Sequence, residues 1–444
     1  MTSFLKEMKF YYYLSFFRMK IKHHFMFSLS GSNLIPIPNL EQLMSIELSK
    51  RVLDLKPSAS IAAKAKVREL ESQGFKIIDF TIGEPDFATP PHIIDAAIDA
   101  LKAGDTHYTA TQGTDALRAA IAGKLKRDHN IAYDAPEIVV GVGAKQLIFE
   151  AFAATLNKGD EVIVPAPYWV SYPDVVAVNG GTPVILVCEE ENGFKLSPSA
   201  LEAAITPKTK WLILNSPSNP TGAVYSAEEL RALLAVLDRH PYVAIMTDDI
   251  YEHIVYDGMT HFTPVQVNPD FKARCLLING MSKAYAMTGW RVGYAAGPKP
   301  LIAAIGKLLG QSTTCASSIS QAASAAALNG DQQSVKDMCA IYKQRRDRMC
   351  ELLAEIPGIR CATPEGAFYV YPSVEGLLGK ATPDGRVLKT DLDVSMYFLE
   401  AANVAVMDGT SYGLSPYLRL SFATAIETIE QGCERIAQAC AALR

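Results

Sequence analysis

The sequence of 444 residues predicts an α/β protein with a large domain, built on a mostly parallel central sheet, and a smaller α+β domain. Two observations lead to this prediction. From residue 91 to about residue 328, short β-branched apolar runs alternate with stretches of helical spacing, which is typical of a parallel sheet covered by helices on both faces. In addition, 49% of the residues are hydrophobic and 20% are charged, so the chain can form a sizeable core and disorder is excluded for most of it.

The predicted elements of the large domain follow one another with short connections. Apolar residues recur at helical spacing in residues 92–102, 114–125, 145–156 and 227–238. Short apolar runs, each closed by Gly, Pro, Asn or Asp, predict strands at residues 138–140, 161–164, 211–214, 243–247, 275–279 and 292–296. In parallel sheets ligands bind beyond the carboxyl ends of the strands, so reactive side chains are expected just after these runs.

The pattern changes at about residue 329. A charged helix is predicted at residues 331–355, strands near 368–372 and 417–422, and a closing amphipathic helix from about residue 426. We therefore predict a large domain at 91–328 and a small domain at 329–444. Residues 44–90 are expected to form an N-terminal arm and part of the small domain.

The first 43 residues differ from the rest of the chain. They contain nine aromatic residues and an excess of basic over acidic residues, but no pattern that fits a cleaved signal peptide. Met44 opens a segment that resembles a natural start. We expect residues 1–43 to be an upstream extension, or the product of a misassigned start, with poor packing and no catalytic role.

The composition argues against several classes of protein. The net charge is −5, whereas a nucleic-acid-binding protein would need a basic surplus, and no run of 18 apolar residues suggests a membrane span. The eight cysteines include no C-x-x-C pair. We expect buried thiols in a reducing, cytoplasmic compartment and no metal site.

Polar side chains follow the predicted strands. Gly143 lies between the first strand and a helix, where free backbone N–H groups could hold a phosphate, although such a glycine is also common in simple turns. Trp169 follows the second strand and could stack on a ring or pack in an interface. Asn219 lies in a dense turn after the third strand.

Asp248 follows the next strand, and a carboxylate there needs a cation or a strong donor unless it caps a helix. Lys283 and Arg291 come near the last strands. The lysine could form a Schiff base or simply extend to solvent. Together with Tyr251, an aromatic ring and an amide, these side chains form the set that pyridoxal 5′-phosphate requires.

Seven sequence motifs support a specific family. They are TIGEPDF at 81–87, GAKQ at 143–146, APYWVSYPD at 166–174, SPSNPTGAVYS at 216–226, TDDIYEHIVYDG at 247–258, NGMSKAYAMTGWRVGYAAGP at 279–298 and YLRLSFAT at 417–424. In these motifs the chain resembles the class I, fold-type I aminotransferases that depend on pyridoxal phosphate. Within them it is most similar to bacterial aspartate and aspartate–prephenate aminotransferases of subgroup Iγ, or Ib. The resemblance spans residues 44–444.

The resemblance implies roles for five residues around the cofactor ring. Lys283 would form the Schiff base and then shuttle the proton during catalysis. Asp248 would pair with the ring nitrogen, while Tyr251 and Asn219 would bind the ring oxygen. Trp169 would lie against the ring, and both Trp169 and Asn219 would also contact the substrate.

The resemblance further implies a phosphate site formed by Gly143, Ala144 and Arg291. Tyr108 would reach the phosphate of the neighbouring subunit, so the active unit would be a homodimer with active sites at the subunit interface.

Three substrate contacts complete the implied site. Arg419 would bind the α-carboxylate, and its strand supports this, because Tyr417, Arg419 and Ser421 share a polar face opposite an apolar one. Gly83 would line the pocket through its backbone. Lys145 would bind a distal carboxylate, with help from a hydroxyl at Ser58 or Ser60.

The implied reaction is ping-pong transamination, from L-aspartate and 2-oxoglutarate to oxaloacetate and L-glutamate. The sequence leaves prephenate, aromatic amino acids and alanine open as substrates. A β-lyase of the same fold is the main alternative from another reaction class, and it would release ammonia and pyruvate without an acceptor. A non-catalytic regulator would be expected to carry an N-terminal DNA-binding domain, for which the sequence shows no helix-turn-helix pattern.

Overall fold

A computed structural model describes residues 46–53 and 59–444, with side chains from residue 65 onward in the second range. The chain divides into two units, Met1–Leu53 and Asp54–Arg444. The described part of the first unit contains a short helix, Lys50–Leu53. The predicted extension at 1–43 lies outside the described residues.

Twelve strands are formed by the described residues, and seven of them build the large sheet. The strands are β1 (Ile78–Asp79), β2 (Ile138–Gly141), β3 (Glu161–Ala166), β4 (Thr182–Val187), β5 (Thr209–Asn215), β6 (Ala244–Asp248), β7 (Cys275–Gly280), β8 (Gly293–Ala296), β9 (Tyr369–Val370), β10 (Val404–Ala405), β11 (Met407–Asp408) and β12 (Leu418–Ser421).

The large sheet has the strand order β2-β8-β7-β6-β5-β3-β4. Neighbouring strands from β7 to β4 are parallel, whereas β8 runs antiparallel to both β7 and β2. The mostly parallel sheet that the alternating pattern predicts is therefore confirmed. Strand β4 was absent from the prediction because it is an edge strand whose side chains are half-buried or exposed.

Helices cover both faces of the large sheet, and each face has its own apolar core. The main helices of this region are Pro91–Lys102, Asp115–His129, Ala144–Thr155, Ser171–Val178, Pro198–Ala204, Ala227–Leu237, Lys299–Ser312 and Ser318–Asn329. Alternation along β6 illustrates the arrangement: Ile245 packs in one core and Met246 in the other. Asp248 lies two residues after Met246, so its side chain points to the same face of the sheet as that of Met246.

A separate apolar cluster surrounds the small sheets. Strands β11, β12 and β9 form an antiparallel sheet, and β1 pairs in parallel with β10. The helices of this region are Ala59–Ser72, Gln333–Ala354, Asp391–Ala402 and Ile426–Ala441. The pairing of β1 with β10 links residues before 90 to the C-terminal part of the chain, while the predicted domain limits stay a prediction.

Two further findings concern the chain as a whole. Among the described residues, no helix combines the length and the apolar character needed to cross a membrane. All eight cysteines are free thiols, and four of them, at positions 315, 339, 350 and 361, are only partly buried, so the expectation of buried thiols holds for half of the set.

Candidate active site

The ends of the parallel strands meet at a cavity of about 500 Å³. The register aligns Asn215 at the end of β5 with Asp248 at the end of β6, so both side chains start from the same edge of the sheet. Most of the predicted site residues line this cavity: Gly83, Ala144, Lys145, Trp169, Asn219, Asp248, Tyr251, Lys283, Arg291 and Arg419.

Lys283 lies three residues beyond the end of β7. Its Nζ donates a hydrogen bond to the carbonyl oxygen of Gly83 at 2.5 Å. Burial lowers the pKa of Lys283 to about 8, although the charges of Glu84 and Asp248 oppose this shift. Near neutral pH this amine therefore changes charge much more easily than an ordinary lysine, as a nucleophile or proton carrier must.

Asp248 is almost completely buried beside the same cavity. Burial raises its pKa to about 6, and the neighbouring charge of Asp249 acts in the same direction. The hydroxyl of Tyr172 donates to Oδ2 of Asp248 at 2.7 Å and favours the ionised form. A cation placed against this carboxylate would offset its desolvation cost.

Tyr172 also supports Trp169. Tyr172 lies in the first turn of the helix Ser171–Val178 and Trp169 two residues before that helix, and their rings contact edge to face at a centroid distance of 5.3 Å. One short segment therefore orients both the aromatic face and the donor to Asp248. Tyr172 was not among the predicted site residues, although it follows Trp169 by three residues in the motif at 166–174.

Arg419 projects from β12 into the cavity. Its guanidinium donates to Oδ1 of Asn219 at 3.2 Å and to the carbonyl oxygen of Thr81 at 2.6 Å. The Nε atom of Arg419 is buried and has no hydrogen-bond partner among the described residues. A carboxylate bound here would satisfy that donor and complete the planar fork of the guanidinium.

Two tyrosine hydroxyls meet beside Arg419, whose guanidinium carbon lies 4.4 Å from the centre of the Tyr369 ring. The hydroxyls of Tyr251 and Tyr369 lie 2.8 Å apart, and both rings are buried. Burial keeps the pKa of Tyr251 well above its usual value, so its phenol stays protonated and able to donate. Tyr369 was not among the predicted site residues, and only its position in the strand predicted at 368–372 hinted at it.

An anion cradle lies at the N-terminus of the helix Ala144–Thr155. Gly143 precedes this helix with φ at +85°, and a Cβ atom there would come within 2.6 Å of Nη2 of Arg291. Nη1 of Arg291 donates to the carbonyl oxygen of Thr288 at 2.8 Å, which fixes the guanidinium against the helix start. Free N–H groups, the helix dipole and a guanidinium together form a site for a phosphate group.

Lys145 lies between Arg291 of this cradle and the ring of Trp169. Its Nζ is 4.7 Å from the centre of the Trp169 ring. The residue as a whole is exposed, but desolvation of its amine lowers the pKa, and the charge of Arg291 contributes in the same direction.

Four predicted residues remain to be placed: Tyr108, Ser58, Ser60 and Gly143. Tyr108 is 88% exposed and does not line the cavity of its own chain. The side chains of Ser58 and Ser60 lie outside the described residues. Gly143 does not line the cavity itself but contacts Arg291, which does.

The residues present fit pyridoxal 5′-phosphate. The cavity combines an amine of lowered pKa at Lys283, a buried carboxylate at Asp248 and an anion cradle at Arg291. The aldehyde, the ring nitrogen and the phosphate of this cofactor need these three kinds of group. The absence of a side chain at Gly143 leaves room for the guanidinium at the cradle.

Comparison with known proteins identifies the family. The sequence profile described as "Aminotransferase class I and II" matches residues 76–436. The chain belongs to this family. It is an aminotransferase of fold type I, and its cofactor is pyridoxal 5′-phosphate.

Several bacterial aminotransferases are similar to this chain along most of its length. An aspartate aminotransferase of Rhizobium meliloti is 49% identical over 392 residues, which cover 88% of this chain and 96% of that protein. An aspartate/prephenate aminotransferase of Cereibacter sphaeroides is 49% identical over 396 residues, which cover 89% of this chain and 99% of that protein.

Solved structures agree with these relatives. The crystal structure of the aspartate aminotransferase of Rhizobium meliloti has a TM-score of 0.89 and 48% identity, and the match covers 90% of this chain and all of that chain. The aspartate aminotransferase of Thermus thermophilus with maleate has a TM-score of 0.82 and 40% identity, covering 89% of this chain and 100% of that chain. The predicted family and fold are therefore confirmed.

Proposed function

We propose that this aminotransferase transfers the amino group of L-aspartate to 2-oxoglutarate by a ping-pong mechanism, forming oxaloacetate and L-glutamate. The observation that carries the proposal is the presence of two separate cations, Arg419 and Lys145, in the cavity that also contains Lys283. One cation can bind the α-carboxylate and the other the distal carboxylate of a dicarboxylic substrate.

Five side chains are assigned to the cofactor ring and its aldehyde. Lys283 attaches the cofactor, and Asp248 holds the ring nitrogen protonated. Tyr251 and Asn219 bind the ring oxygen. Oδ1 of Asn219 accepts a hydrogen bond from Arg419, which leaves Nδ2 of Asn219 to donate to the ring oxygen. Trp169 lies against the ring. When bound, the cofactor supplies an aldehyde carbon that accepts the amino group and a protonated ring that withdraws electrons from the substrate Cα.

The phosphate group is assigned to the cradle. Ala144 and Gly143 offer backbone N–H groups at the helix start, and Arg291 adds a guanidinium.

Lys283 is also the proton carrier. Once released from the cofactor, its amine would take the proton from the substrate Cα and pass it to the carbon that receives the amino group. A pKa of about 8 suits both steps, because the group can accept and release a proton near neutral pH.

Arg419 orients the substrate, and Gly83 borders it. The guanidinium is held by Thr81 and Asn219, so it would fix the position of a bound α-carboxylate within the cavity. Lys145 binds the distal carboxylate, and Ser60 is assigned to the same end of the substrate from the resemblance alone.

We further propose that the active unit is a homodimer in the cytoplasm. Tyr108 supports the dimer, because its ring is almost fully exposed in the single chain while the assigned role places its hydroxyl at the phosphate of a second copy. The eight free cysteines support a reducing compartment.

The names of two similar proteins refer to other substrates. Prephenate appears in the name of the Cereibacter sphaeroides enzyme. An aromatic aminotransferase of Pyrococcus horikoshii has a TM-score of 0.76 and 36% identity, with a match that covers 84% of this chain and 98% of that chain.

A half-reaction with single amino acids tests the proposal. Purified holoenzyme is mixed with aspartate, glutamate, alanine, phenylalanine or arogenate in the absence of an acceptor, and the visible absorbance of the cofactor aldehyde is followed. Fast loss of this absorbance with aspartate and glutamate is expected. Conversion with aromatic amino acids or arogenate alone would overturn the substrate assignment. Release of pyruvate and ammonia without an acceptor would instead identify a lyase.

A further inference from the structure

A second carboxylate lies directly beside the one assigned to the cofactor. Asp249 follows Asp248 at the end of β6, and because successive side chains alternate, it faces the other side of the sheet together with Thr247. Asp249 is completely buried. Its Oδ1 accepts a hydrogen bond from the Thr247 hydroxyl at 2.5 Å, whereas its Oδ2 has no hydrogen-bond partner among the described residues.

The basic side chain within 4 Å of this oxygen is an imidazole. Nε2 of His261 lies 3.6 Å from Oδ2 of Asp249, and the His261 side chain is 3% exposed. Neither ring nitrogen of His261 has a hydrogen-bond partner among the described residues. Two buried and unpartnered groups of complementary chemistry therefore face each other.

The other titratable groups that face Asp249 are neutral near physiological pH. Burial, followed by nearby charges, raises the pKa of Tyr133, Cys275 and Tyr294 above their usual values. On its opposite side the carboxylate of Asp248 adds negative charge. These groups supply no positive charge to balance Asp249.

The groups that face His261 belong to a connected cluster. Its ring contacts that of His129 edge to face at a centroid distance of 5.8 Å. Nε2 of His129 lies 2.6 Å from Oε2 of Glu252. Glu252 also pairs with Lys124, and although burial opposes it, the positive charge of Lys124 keeps the pKa of Glu252 well below its usual value.

This cluster borders a second cavity, of about 700 Å³, on the far side of the sheet from Asp248. His129, Glu252, His253 and His261 line it together with the exposed Lys336, so it reaches the surface. The His261 side chain therefore borders this second cavity and not the cavity that contains Lys283.

We propose that Asp249 and His261 form a buried ion pair that cancels the charge of Asp249 and thereby keeps Asp248 ionised against the cofactor ring. The two are positioning residues, because they act through Asp248. The inference rests on the proposed function, since it concerns the carboxylate assigned to the ring nitrogen.

The physical reason is repulsion between neighbouring carboxylates. Two buried carboxylates on adjacent residues oppose each other's ionisation, and the charge of Asp249 raises the pKa of Asp248. An imidazolium at His261 offsets that charge. A buried charge without a partner would be costly, which explains why a histidine rather than an apolar residue faces Asp249.

The test compares pH titrations of the visible absorbance of the holoenzyme. Its midpoint reports the proton on the lysine nitrogen bound to the cofactor, and added negative charge nearby raises it. Removing the imidazole in His261→Asn leaves Asp249 unbalanced. A change of one unit charge near the cofactor site is expected to move such a midpoint by an amount on the order of 0.5 pH unit. We expect an upward shift of this size.

The double variant decides whether the shift comes from Asp249. In Asp249→Asn/His261→Asn both charges are absent, so the midpoint is expected to return to the wild-type value. Thr263→Val is the matched control, because it changes a buried, uncharged neighbour whose hydroxyl has no partner among the described residues. Its midpoint is expected to stay unchanged. An unchanged midpoint in His261→Asn, or a shift that persists in the double variant, would overturn the ion pair.

A second measurement covers the case in which His261→Asn fails to fold. In ¹⁵N-histidine spectra of the wild-type holoenzyme, one imidazole is expected to be doubly protonated under the assay conditions and to lose that signal in Asp249→Asn. No such signal would contradict the proposal. Failure of the wild type to bind the cofactor or to transaminate would instead refute the proposed function, so the two failures are distinguishable.

Discussion

Replacing Lys145 with methionine tests the dicarboxylate specificity directly. The change removes the amine that lies against Trp169 and keeps a chain of similar length. A hydrogen bond to a charged group contributes about 1.5–3 kcal/mol, and the lower end applies here because the residue is exposed. About 1.5–2 kcal/mol corresponds to a loss of roughly 10- to 30-fold in kcat/KM for aspartate.

The informative quantity is the ratio of two substrates. Phenylalanine shares the α-carboxylate and the amine with aspartate but has no distal charge, so its kcat/KM is expected to change little in the Lys145→Met enzyme. Lys158→Met serves as a control, since it makes the same chemical change at an exposed lysine beyond the end of the same helix. Both rates are measured by stopped-flow half-reactions at saturating cofactor.

Two results would refute this reasoning. An equal loss for aspartate and phenylalanine would mean that Lys145 serves the cofactor or the fold rather than the distal carboxylate. No loss for aspartate would move the distal carboxylate to another part of the cavity.

Four further predictions concern the remaining groups. Lys283→Ala is expected to abolish the half-reaction, measured by absorbance, and substantial residual turnover would contradict its role. Gly143→Ala is expected to weaken cofactor binding, because a Cβ would crowd Arg291 where φ is positive, whereas Gly123→Ala, with open space around it, should bind normally in the same titration. Arg419→Lys keeps the charge but loses the fork, so KM should rise about 10-fold or more for aspartate and phenylalanine alike; a change for one substrate alone would argue against α-carboxylate binding. Attachment of the cofactor to apoenzyme needs the neutral amine of Lys283, so its rate should rise with pH around a midpoint near 8, and a flat profile would contradict the lowered pKa.

The sheet edge was predictable because it follows from local pattern. Strands β3, β5, β6 and β7 are short apolar runs in parallel pairing, so the side chains that follow them must lie at the carboxyl edge of the large sheet. In the structure, the pairing of β5 with β6 aligns Asn215 with Asp248, so both lie at this edge. Strand β4 was not predicted, because an edge strand is only half covered and its sequence need not be uniformly apolar.

Contacts between distant segments were not predictable from pattern. The Tyr251–Tyr369 contact joins residues 118 positions apart, and the Arg419–Asn219 hydrogen bond joins residues 200 positions apart. Such pairs depend on how the small sheet packs against the large one. Tyr172 was missed for a different reason: a tyrosine in an apolar helix is expected to pack, and only its hydroxyl contact with Asp248 reveals a second role.

Hydrogen bonds join the two ends of the reaction site into one frame. Arg419 donates to the side chain of Asn219, whose backbone N–H donates to Oδ1 of Asn215 at 2.8 Å. Nδ2 of Asn215 in turn donates to the carbonyl oxygen of Asp248 at 2.8 Å. The group assigned to the substrate carboxylate is therefore fixed relative to the strand end that bears the ring partner. Transamination requires the Cα–H bond of the substrate to stand at a defined angle to the cofactor ring. This frame holds the groups that orient the substrate in place before the substrate binds.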